Sequence, residues 1–323
     1  MELFRPKMVP APLAIIAGAQ RFNPTIACAM REAGLNGPFA MITAGWRERE
    51  PDDSELREHL GSETYNLELY RRTDDVMRRD KDLRTAHRER QNRLQRRQDF
   101  YRIRLAHQLK AAEVIANRTA SDTLHEEAHL SSIEALQQLD TWHLSKCHRD
   151  IEQFEAEWTP SKREAVAEQR AELKHIIDRC KTVAIAGGHV AALLNRLELF
   201  GMRELLAGKP IVAWSAGAMA ITERVVLYHD FSPQGYRASE VLAWGLGALP
   251  NVVALPQPES RLNKDDRSRI EVMARRFSPS KCIGLPARTS VTFRLNQMED
   301  PCGIWTLNED GNVDSVGQMR GEQ

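Results

Sequence analysis

The feature that most constrains the fold is a long stretch without glycine. No glycine occurs in residues 62–186, and Pro160 is the only proline there. Glycine and proline are the strongest helix interrupters, so this stretch, dominated by Arg, Glu, Gln, Leu and Ala, favours long helices. Apolar residues recur at helical spacing, for example at Tyr101, Leu105 and Leu109, which gives each helix one apolar stripe. We predict a two- or three-helix hairpin or bundle here.

Polar residues with capping ability predict where these helices begin. Side-chain oxygens at a helix start accept backbone N–H groups that otherwise lack partners. Ser161 is followed by Glu164, which is the spacing of a capping box. The expected caps are Asp74 or Asp75 for the first helix, Ser121 or Asp122 for the second, and Ser161 for the third.

Short apolar runs that lead into turns flank the helical stretch on both sides. Residues 13–17, 39–43, 183–186 and 211–214 are such runs, and helical patterns lie between them. This alternation is typical of a parallel sheet covered by helices. We therefore predict a doubly wound α/β fold: residues 1–60 form its first part, 61–181 a helical insertion, and 182–323 the remainder. We also predict three later strands from apolar runs and a closing hairpin at Asp310-Gly311-Asn312.

Composition and charge exclude several classes of protein. The net charge is +0, so the molecule as a whole has no field that attracts nucleic acid. Five scattered cysteines without C-x-x-C spacing argue against a disulfide framework or a zinc site and favour a reducing compartment. We expect no signal peptide, no membrane span, no cofactor and no metal, and hence a cytoplasmic protein.

Ser215 lies at the junction of a predicted buried strand and a helix. A sharp turn at this junction exposes a hydroxyl above the sheet, and the N–H of Ala216 can then donate to a developing oxyanion. The pair Gly187-Gly188 ends the preceding strand and can supply a second donor, from Gly188. The alternative is that Ser215 only caps the following helix.

Several motifs in the last third of the chain resemble dipeptidase E and its relative cyanophycinase. The runs are 186–189 (Ala-Gly-Gly-His), 214–218 (Trp-Ser-Ala-Gly-Ala), 233–236 (Pro-Gln-Gly-Tyr), 245–250 and 282–286. The resemblance does not cover the helical stretch. It implies a serine peptidase on a class I glutamine amidotransferase-like fold, with Ser215 as nucleophile and Gly188 and Ala216 as oxyanion donors.

The sequence departs from that family at the position of the general base. Where the family has a histidine after a strand, this chain has Gln257, so this triad position is degenerate. His189 beside the glycine pair, or His229, could replace the missing base. Asp230 falls near the family's acidic residue, and each of these histidines could equally be an ordinary loop or surface residue.

The helical insertion has its own functional alternatives. Residues 71–104 contain 13 Lys and Arg against 6 Asp and Glu, but no nucleic-acid motif accompanies them, so a solvated helix face is favoured. We expect a lid, a dimerisation arm or a docking surface for a protein partner. His125, His129, His143 and His148 are expected to face solvent rather than bind metal, and Phe100 and Tyr101 to pack on a neighbouring helix.

Two functions follow from the sequence. The first is a serine hydrolase that acts on a small peptide or amide through Ser215. The second is a catalytically inactive relative that binds a partner through its cleft or its helices. Intact small residues around Ser215 favour the first, and Gln257 favours the second.

Overall fold

The apolar runs predicted as buried strands form the centre of the molecule. The computed structural model describes residues 9–20, 24–118, 122–231 and 237–317. The strands are β1 (Leu13–Ala17), β2 (Phe39–Ile42), β3 (Thr64–Asn66), β4 (Thr182–Ile185), β5 (Ile211–Trp214), β6 (Arg224–His229), β7 (Arg237–Trp244), β8 (Val252–Pro256), β9 (Lys281–Leu285), β10 (Ser290–Arg294), β11 (Gln297–Cys302), β12 (Ile304–Leu307) and β13 (Val313–Val316).

The helices of the described ranges lie between and around these strands. They are α1 (Ile26–Glu32), α2 (Ser54–Leu60), α3 (Leu69–Arg79), α4 (Lys81–Ala116), α5 (Thr123–Trp158), α6 (Glu164–Arg179), α7 (Val190–Leu199), α8 (Met202–Leu205), α9 (Ala216–Ile221), α10 (Pro258–Arg261) and α11 (Arg267–Phe277). Two 3₁₀ turns cover Ala44–Arg49 and Pro160–Lys162.

The largest sheet in the described ranges has seven strands in the order β11-β10-β1-β5-β4-β2-β3. The five strands from β1 to β3 in this order are mutually parallel, and β10 and β11 add antiparallel pairs beyond β1. The molecule is therefore α/β with a mostly parallel central sheet and long helices. Because the strands are parallel, their carboxyl ends meet at one edge, which is where sites form in such sheets.

Both faces of this sheet are buried, which explains why its strands are apolar throughout. Ile16 and Ile42 belong to the core on one face, whereas Ile15 and Met41 belong to the core on the other. All four side chains are essentially inaccessible to solvent. Burying a side chain of this size contributes about 1.5–3 kcal/mol, so the sheet is a rigid platform for its carboxyl edge.

The remaining strands do not join this sheet. β8 and β9 pair in parallel, and β12 and β13 extend them as a separate four-stranded sheet. β6 and β7 form an antiparallel pair. The closing hairpin predicted around Gly311 is confirmed, since β12 and β13 pair across it.

One strand of the central sheet lies inside the range predicted for the helical insertion. β3, within the range assigned to the insertion, pairs with β2 at the edge of the central sheet. Its three residues are only half-buried. A strand so short and so polar has no apolar signature in the sequence.

The first predicted helix of the insertion is in fact two helices. α3 begins at Leu69 because the carboxylate of Glu50 accepts the N–H groups of Tyr70 and Arg71. Asp74 and Asp75, the expected caps, thus lie inside α3. Asp80 breaks the helix and caps α4 by accepting the Leu83 N–H at 2.9 Å, so the true cap lies after the predicted ones.

The two other predicted helix starts have different outcomes. Asp122 caps α5 by accepting the His125 N–H at 2.8 Å, as predicted, and the alternative Ser121 lies outside the described residues. Ser161 lies in a 3₁₀ turn, and the residue before α6 is Arg163, whose side chain makes no cap bond. The capping-box prediction at Ser161 is therefore wrong.

Helices α4 and α5 form a hairpin that packs on the rest of the chain. Tyr101 of α4 donates a hydrogen bond to Asp140 of α5 and accepts the Val241 N–H of β7. Arg276 of α11 pairs with the same Asp140 at 2.7 Å, and both side chains are at most 2% exposed. These contacts join α4, α5, α11 and β7 through one buried ion pair, and removing one partner would leave the other charge buried and unpaired.

Some side chains of the hairpin differ from expectation. His129 and His143 are buried, not solvent-facing, and the ring of His143 stacks on Tyr101 at 4.1 Å. Phe100 is 62% exposed instead of packing on a neighbouring helix. Phe100 is exposed because Tyr101, one residue further on, faces the core.

Within the described ranges, no group of three or more His, Cys, Asp and Glu side chains is arranged to hold a metal ion. The same part of the chain has no helix with the combined length and apolar composition of a membrane span.

Candidate active site

Ser215 lies at the carboxyl edge of the central sheet, directly after β5. Its N–H donates to the carbonyl of Ala17 at the end of β1, at 3.0 Å. The end of β4, at Ala186-Gly187, lies on the other side of β5. Ser215 therefore occupies the position predicted for it, between the ends of two neighbouring parallel strands.

The backbone of Ser215 distinguishes between the two roles considered for this residue. A serine that caps a helix has extended backbone angles, and its oxygen accepts an N–H of the first turn. Ser215 instead has φ 52° and ψ −121°, and its side chain makes no cap hydrogen bond. A non-glycine residue held in this region costs on the order of 1–3 kcal/mol. Ser215 is thus a strained turn residue rather than a helix cap.

Gly187 packs directly against the Ser215 side chain. A β-carbon added to Gly187 would lie 2.8 Å from Ser215 Cβ and 3.2 Å from Oγ. Gly188, with φ 111°, approaches Gly45 so closely that an added β-carbon would lie 2.4 Å from the Gly45 carbonyl oxygen. Both glycines are therefore required by close backbone contacts around the serine.

Several backbone N–H groups around Ser215 have no acceptor within the described part of the chain, among them those of Gly187 and the first turn of α9. They include Gly188 and Ala216, the two residues predicted as oxyanion donors. The N–H groups that follow are bonded: His189 N–H donates to Gly45, and Met219 N–H makes the first intrahelical bond of α9, to Ser215. Unpaired N–H groups near a strained serine are what a site needs to stabilise negative charge on a substrate oxygen.

His189 follows Gly188 and caps helix α7. Its Nδ1 accepts the Ala192 N–H at 3.1 Å. In a neutral imidazole, one nitrogen carries the proton and the other accepts hydrogen bonds, so this cap leaves the proton on Nε2. In this state, the free nitrogen of His189 is a hydrogen-bond donor and not a base.

His229 and Asp230 lie at the end of β6, far from Gly187-Gly188 in the sequence. Both oxygens of Asp230 are engaged by Arg269, and Oδ2 also accepts the Asn263 N–H at 2.8 Å. The Asp230 and Arg269 side chains are 5% and 6% exposed. His229 Nδ1 is buried and has no hydrogen-bond partner among the described residues. Of these two, only His229 has unused hydrogen-bonding capacity.

Gln257, at the degenerate triad position, begins the short helix α10 after β8. It has φ 58°, and its side-chain oxygen accepts a hydrogen bond from Arg261 at 3.1 Å. The Tyr228 hydroxyl donates to the Pro256 carbonyl at 2.6 Å, and Asp230 N–H donates to the Arg261 carbonyl. The end of β6 and the start of α10 therefore form one hydrogen-bonded group, which we call the α10 group.

The α10 group is connected through backbone contacts to Ser215, Ala216 and the neighbouring Gly187-Gly188, which together we call the serine turn. Gln257 N–H donates to the Leu285 carbonyl, and that oxygen would lie 2.9 Å from a β-carbon on Gly18. Gly18 follows Ala17, the residue that accepts the Ser215 N–H. Among the described residues, however, no hydrogen bond joins Ser215 Oγ to an imidazole. The run 233–236 of the family resemblance lies outside the described residues.

Sequence reasoning missed a polar network at the carboxyl ends of β2 and β3. Thr43 and Asn66 hydrogen-bond each other, and Asn66 also donates to the Glu50 carbonyl and to Asp53. Glu50 is 1% exposed, and burial raises the pKa of its carboxyl group. The isolated polar residues gave no recognisable spacing, because contacts across strands bring them together.

Comparisons with known proteins add a distant structural likeness. Neither a family model nor a curated protein matches the sequence. Among solved structures, the chain is similar to the crystal structure of a peptidase from an acI-B1 Actinobacterium, at 14% identity and a TM-score of 0.46, with 96% of this chain and 98% of that chain covered. Inferences about function therefore depend on the residues around Ser215.

Proposed function

We propose that this chain is a serine hydrolase, related to dipeptidase E and cyanophycinase on a class I glutamine amidotransferase-like fold, that cleaves a peptide or amide bond. The observation that carries the proposal is the strained backbone of Ser215, which makes no cap bond and packs against Gly187. Strain of this kind persists when the surrounding structure enforces it, and it is concentrated at active sites.

The proposed reaction has two steps. Ser215 Oγ attacks the substrate carbonyl carbon, its proton passes to a base, and the N–H groups of Gly188 and Ala216 donate to the oxyanion. The C–N bond then breaks, the leaving amine takes the proton, and an acyl-serine remains. Water hydrolyses that ester by the reverse proton transfers and regenerates Ser215.

Two histidines are candidates for the base. His189 could accept the proton at Nε2 only after the ring changes tautomer, which requires it to release the Ala192 N–H. Loss of such a cap costs about 1 kcal/mol, a small fraction of the barrier that a general base removes. His229 has an unpartnered Nδ1 and needs no such release. In this proposal Asp230 takes no direct part in the reaction, because both of its carboxylate oxygens are bonded to Arg269.

The second candidate function is a non-catalytic binding protein. It is favoured by the α10 group, where Gln257 replaces a histidine and Asp230 is engaged by Arg269. The partner would be a protein or a second copy of this chain, and Phe100 and Ile103 on α4 are exposed apolar residues available for such a contact. In either case, we propose a cytoplasmic protein on the basis of its free cysteines.

Release of new amino groups from a mixture of short peptides tests the proposed hydrolase. We expect release with the wild type and a loss of several orders of magnitude with Ser215→Ala. Equal release by the two proteins would place the reaction elsewhere. No release by either, together with retained peptide binding, would favour the binding protein.

A further inference from the structure

An open cleft of about 390 Å³ lies next to the serine turn. One wall is the start of α7, with His189, Asn195 and Arg196, and the other is formed by α3 and α4 of the insertion, including Met77 and His87. This volume lies in the range of small-ligand sites. We call it the α7 cleft, and it connects the insertion to the proposed active site through His189.

Arg196 is the unusual side chain of the α7 cleft. Its Nε is buried without a hydrogen-bond partner, and no ion pair to Arg196 occurs among the described residues. Its Nη1 donates to Asn195 at 3.3 Å, and its guanidinium lies 4.5 Å from the centre of the Tyr70 ring. Burial lowers the pKa of Arg196, because the charged form loses hydration there. An arriving anion would replace that lost hydration.

We propose that Arg196 binds a carboxylate of the peptide substrate in the α7 cleft. An arginine presents a planar set of N–H donors that matches a carboxylate, which makes it the usual residue for this task. The inference rests on the proposed function for the nature of the ligand, a short peptide. It adds the requirement that this peptide carry a negative charge away from the scissile bond.

The position of Arg196 on α7 gives the approximate location of that charge. Arg196 follows His189 by seven residues, so the two lie on the same face of the helix about 10 Å apart along its axis. An extended peptide covers about 3.3–3.6 Å per residue. The carboxylate would therefore lie about three residues from the group that contacts His189.

Nearby acidic groups set a limit on the strength of this site. Glu50 and Asp74 both interact electrostatically with Arg196, although neither forms an ion pair with it. Glu50 is already engaged by the N–H groups of Tyr70 and Arg71 at the start of α3. Arg196 thus keeps donors available for a ligand, and Glu50 does not compete for them, whereas Asp74 lines the cleft and weakens the site by repelling an anion.

Binding to a variant that cannot turn over substrate tests the inference. The probes are N-acetyl-tetra-alanine with a free carboxylate and the same peptide with a carboxamide end. The protein is Ser215→Ala, alone and combined with Arg196→Met or Arg196→Lys, and affinity is measured by calorimetry. The matched control is Arg203→Met, which removes another buried arginine that has an unpartnered Nε but does not line the cleft.

We expect the carboxylate peptide to bind about 10- to 100-fold more tightly than the carboxamide, as a charge-assisted hydrogen bond predicts. Arg196→Met should abolish the preference, and Arg203→Met should retain it. If Arg196→Met does not fold, Arg196→Lys should reduce the preference severalfold, because lysine lacks the planar donor set. Equal binding of the two peptides, no binding of either at millimolar concentration, or a preference unchanged in the Arg196 variants would overturn the inference.

This experiment separates the inference from the proposed function. Ser215→Ala binds without reacting, so the carboxylate preference is measured whether or not the wild type is a hydrolase. Suppose that the Arg196 variants lose the preference for the carboxylate peptide while the wild type releases no amine. That result would support the carboxylate site and contradict only the hydrolase.

Discussion

The serine turn and the α10 group lie near the same edge of the molecule but differ in how their polar groups are used. At the serine turn, the backbone is strained and the N–H groups of Gly188 and Ala216 lack acceptors among the described residues. In the α10 group, Gln257 also has a positive φ, of 58°, but its side chain and that of Asp230 are engaged by Arg261 and Arg269. A strained backbone and unpaired N–H groups lower the stability of the fold, so their presence indicates a function. An ion pair with all its partners in place indicates a structural role.

The largest expected effect is the loss of the Asp230–Arg269 pair. Asp230→Ala should lower the free energy of unfolding by about 3 kcal/mol, because it leaves a buried guanidinium without its main partner. Urea denaturation measures this change. The control is Asp99→Ala, which removes an exposed partner of Arg102 and should cost less than about 1 kcal/mol. A small loss at Asp230 would mean that the α10 group is not structural.

A β-carbon at Gly187 should damage the serine turn directly. Gly187→Ala places a methyl group 2.8 Å from Ser215 Cβ, which should cost about 1–3 kcal/mol and displace the serine. Thermal unfolding measures the stability, and peptide hydrolysis measures the displacement. Gly208→Ala is the comparison: an added β-carbon there meets no atom within 4 Å, so its cost comes from the positive φ of 74° alone and should leave hydrolysis unchanged. Undiminished hydrolysis by Gly187→Ala would contradict the proposed site.

Two substitutions at His189 separate its cap from its imidazole. His189→Ala removes both and should cost about 1 kcal/mol in stability, whereas His189→Asn keeps a good cap and should cost little. If His189 is the base, both variants lose hydrolysis. If His229 is the base, His189→Asn retains hydrolysis and His229→Ala loses it. Full activity in both His189→Asn and His229→Ala would exclude both histidines.

The smallest expected effect is relief of strain at Ser215. Ser215→Gly should be about 1 kcal/mol more stable than Ser215→Ala, because glycine adopts φ 52° without a steric cost. Chemical denaturation of the two variants provides the comparison, and neither has a hydroxyl. A glycine variant that is less stable than the alanine variant would mean that the backbone at Ser215 is not strained.

The sequence predicted the serine turn but not the contacts of the α10 group. The serine turn was predictable because an apolar strand, small residues and a glycine pair are all local signals. The pairing of Asp230 with Arg269 was not, because 39 residues separate the partners. The role of His189 as a cap was also hidden, since it depends on backbone angles that a sequence pattern does not specify.

The same limit applies to the fold. The strands of the central sheet were predictable from apolar runs, except for β3, which is short and half-buried, and β11, which is mostly polar. The start of α3 was missed because it is set by Glu50, which comes 19 residues before Leu69 in the sequence. Caps supplied from a distance lie beyond any local pattern.

Mass spectrometry after exposure to a fluorophosphonate probe tests the central claim most directly. The probe reacts with activated serines, so we predict one adduct on the native protein, located on the peptide that contains Ser215. Ser215→Ala and the denatured wild type should carry none. An unlabelled native protein, or an adduct that persists in Ser215→Ala, would contradict Ser215 as an activated nucleophile.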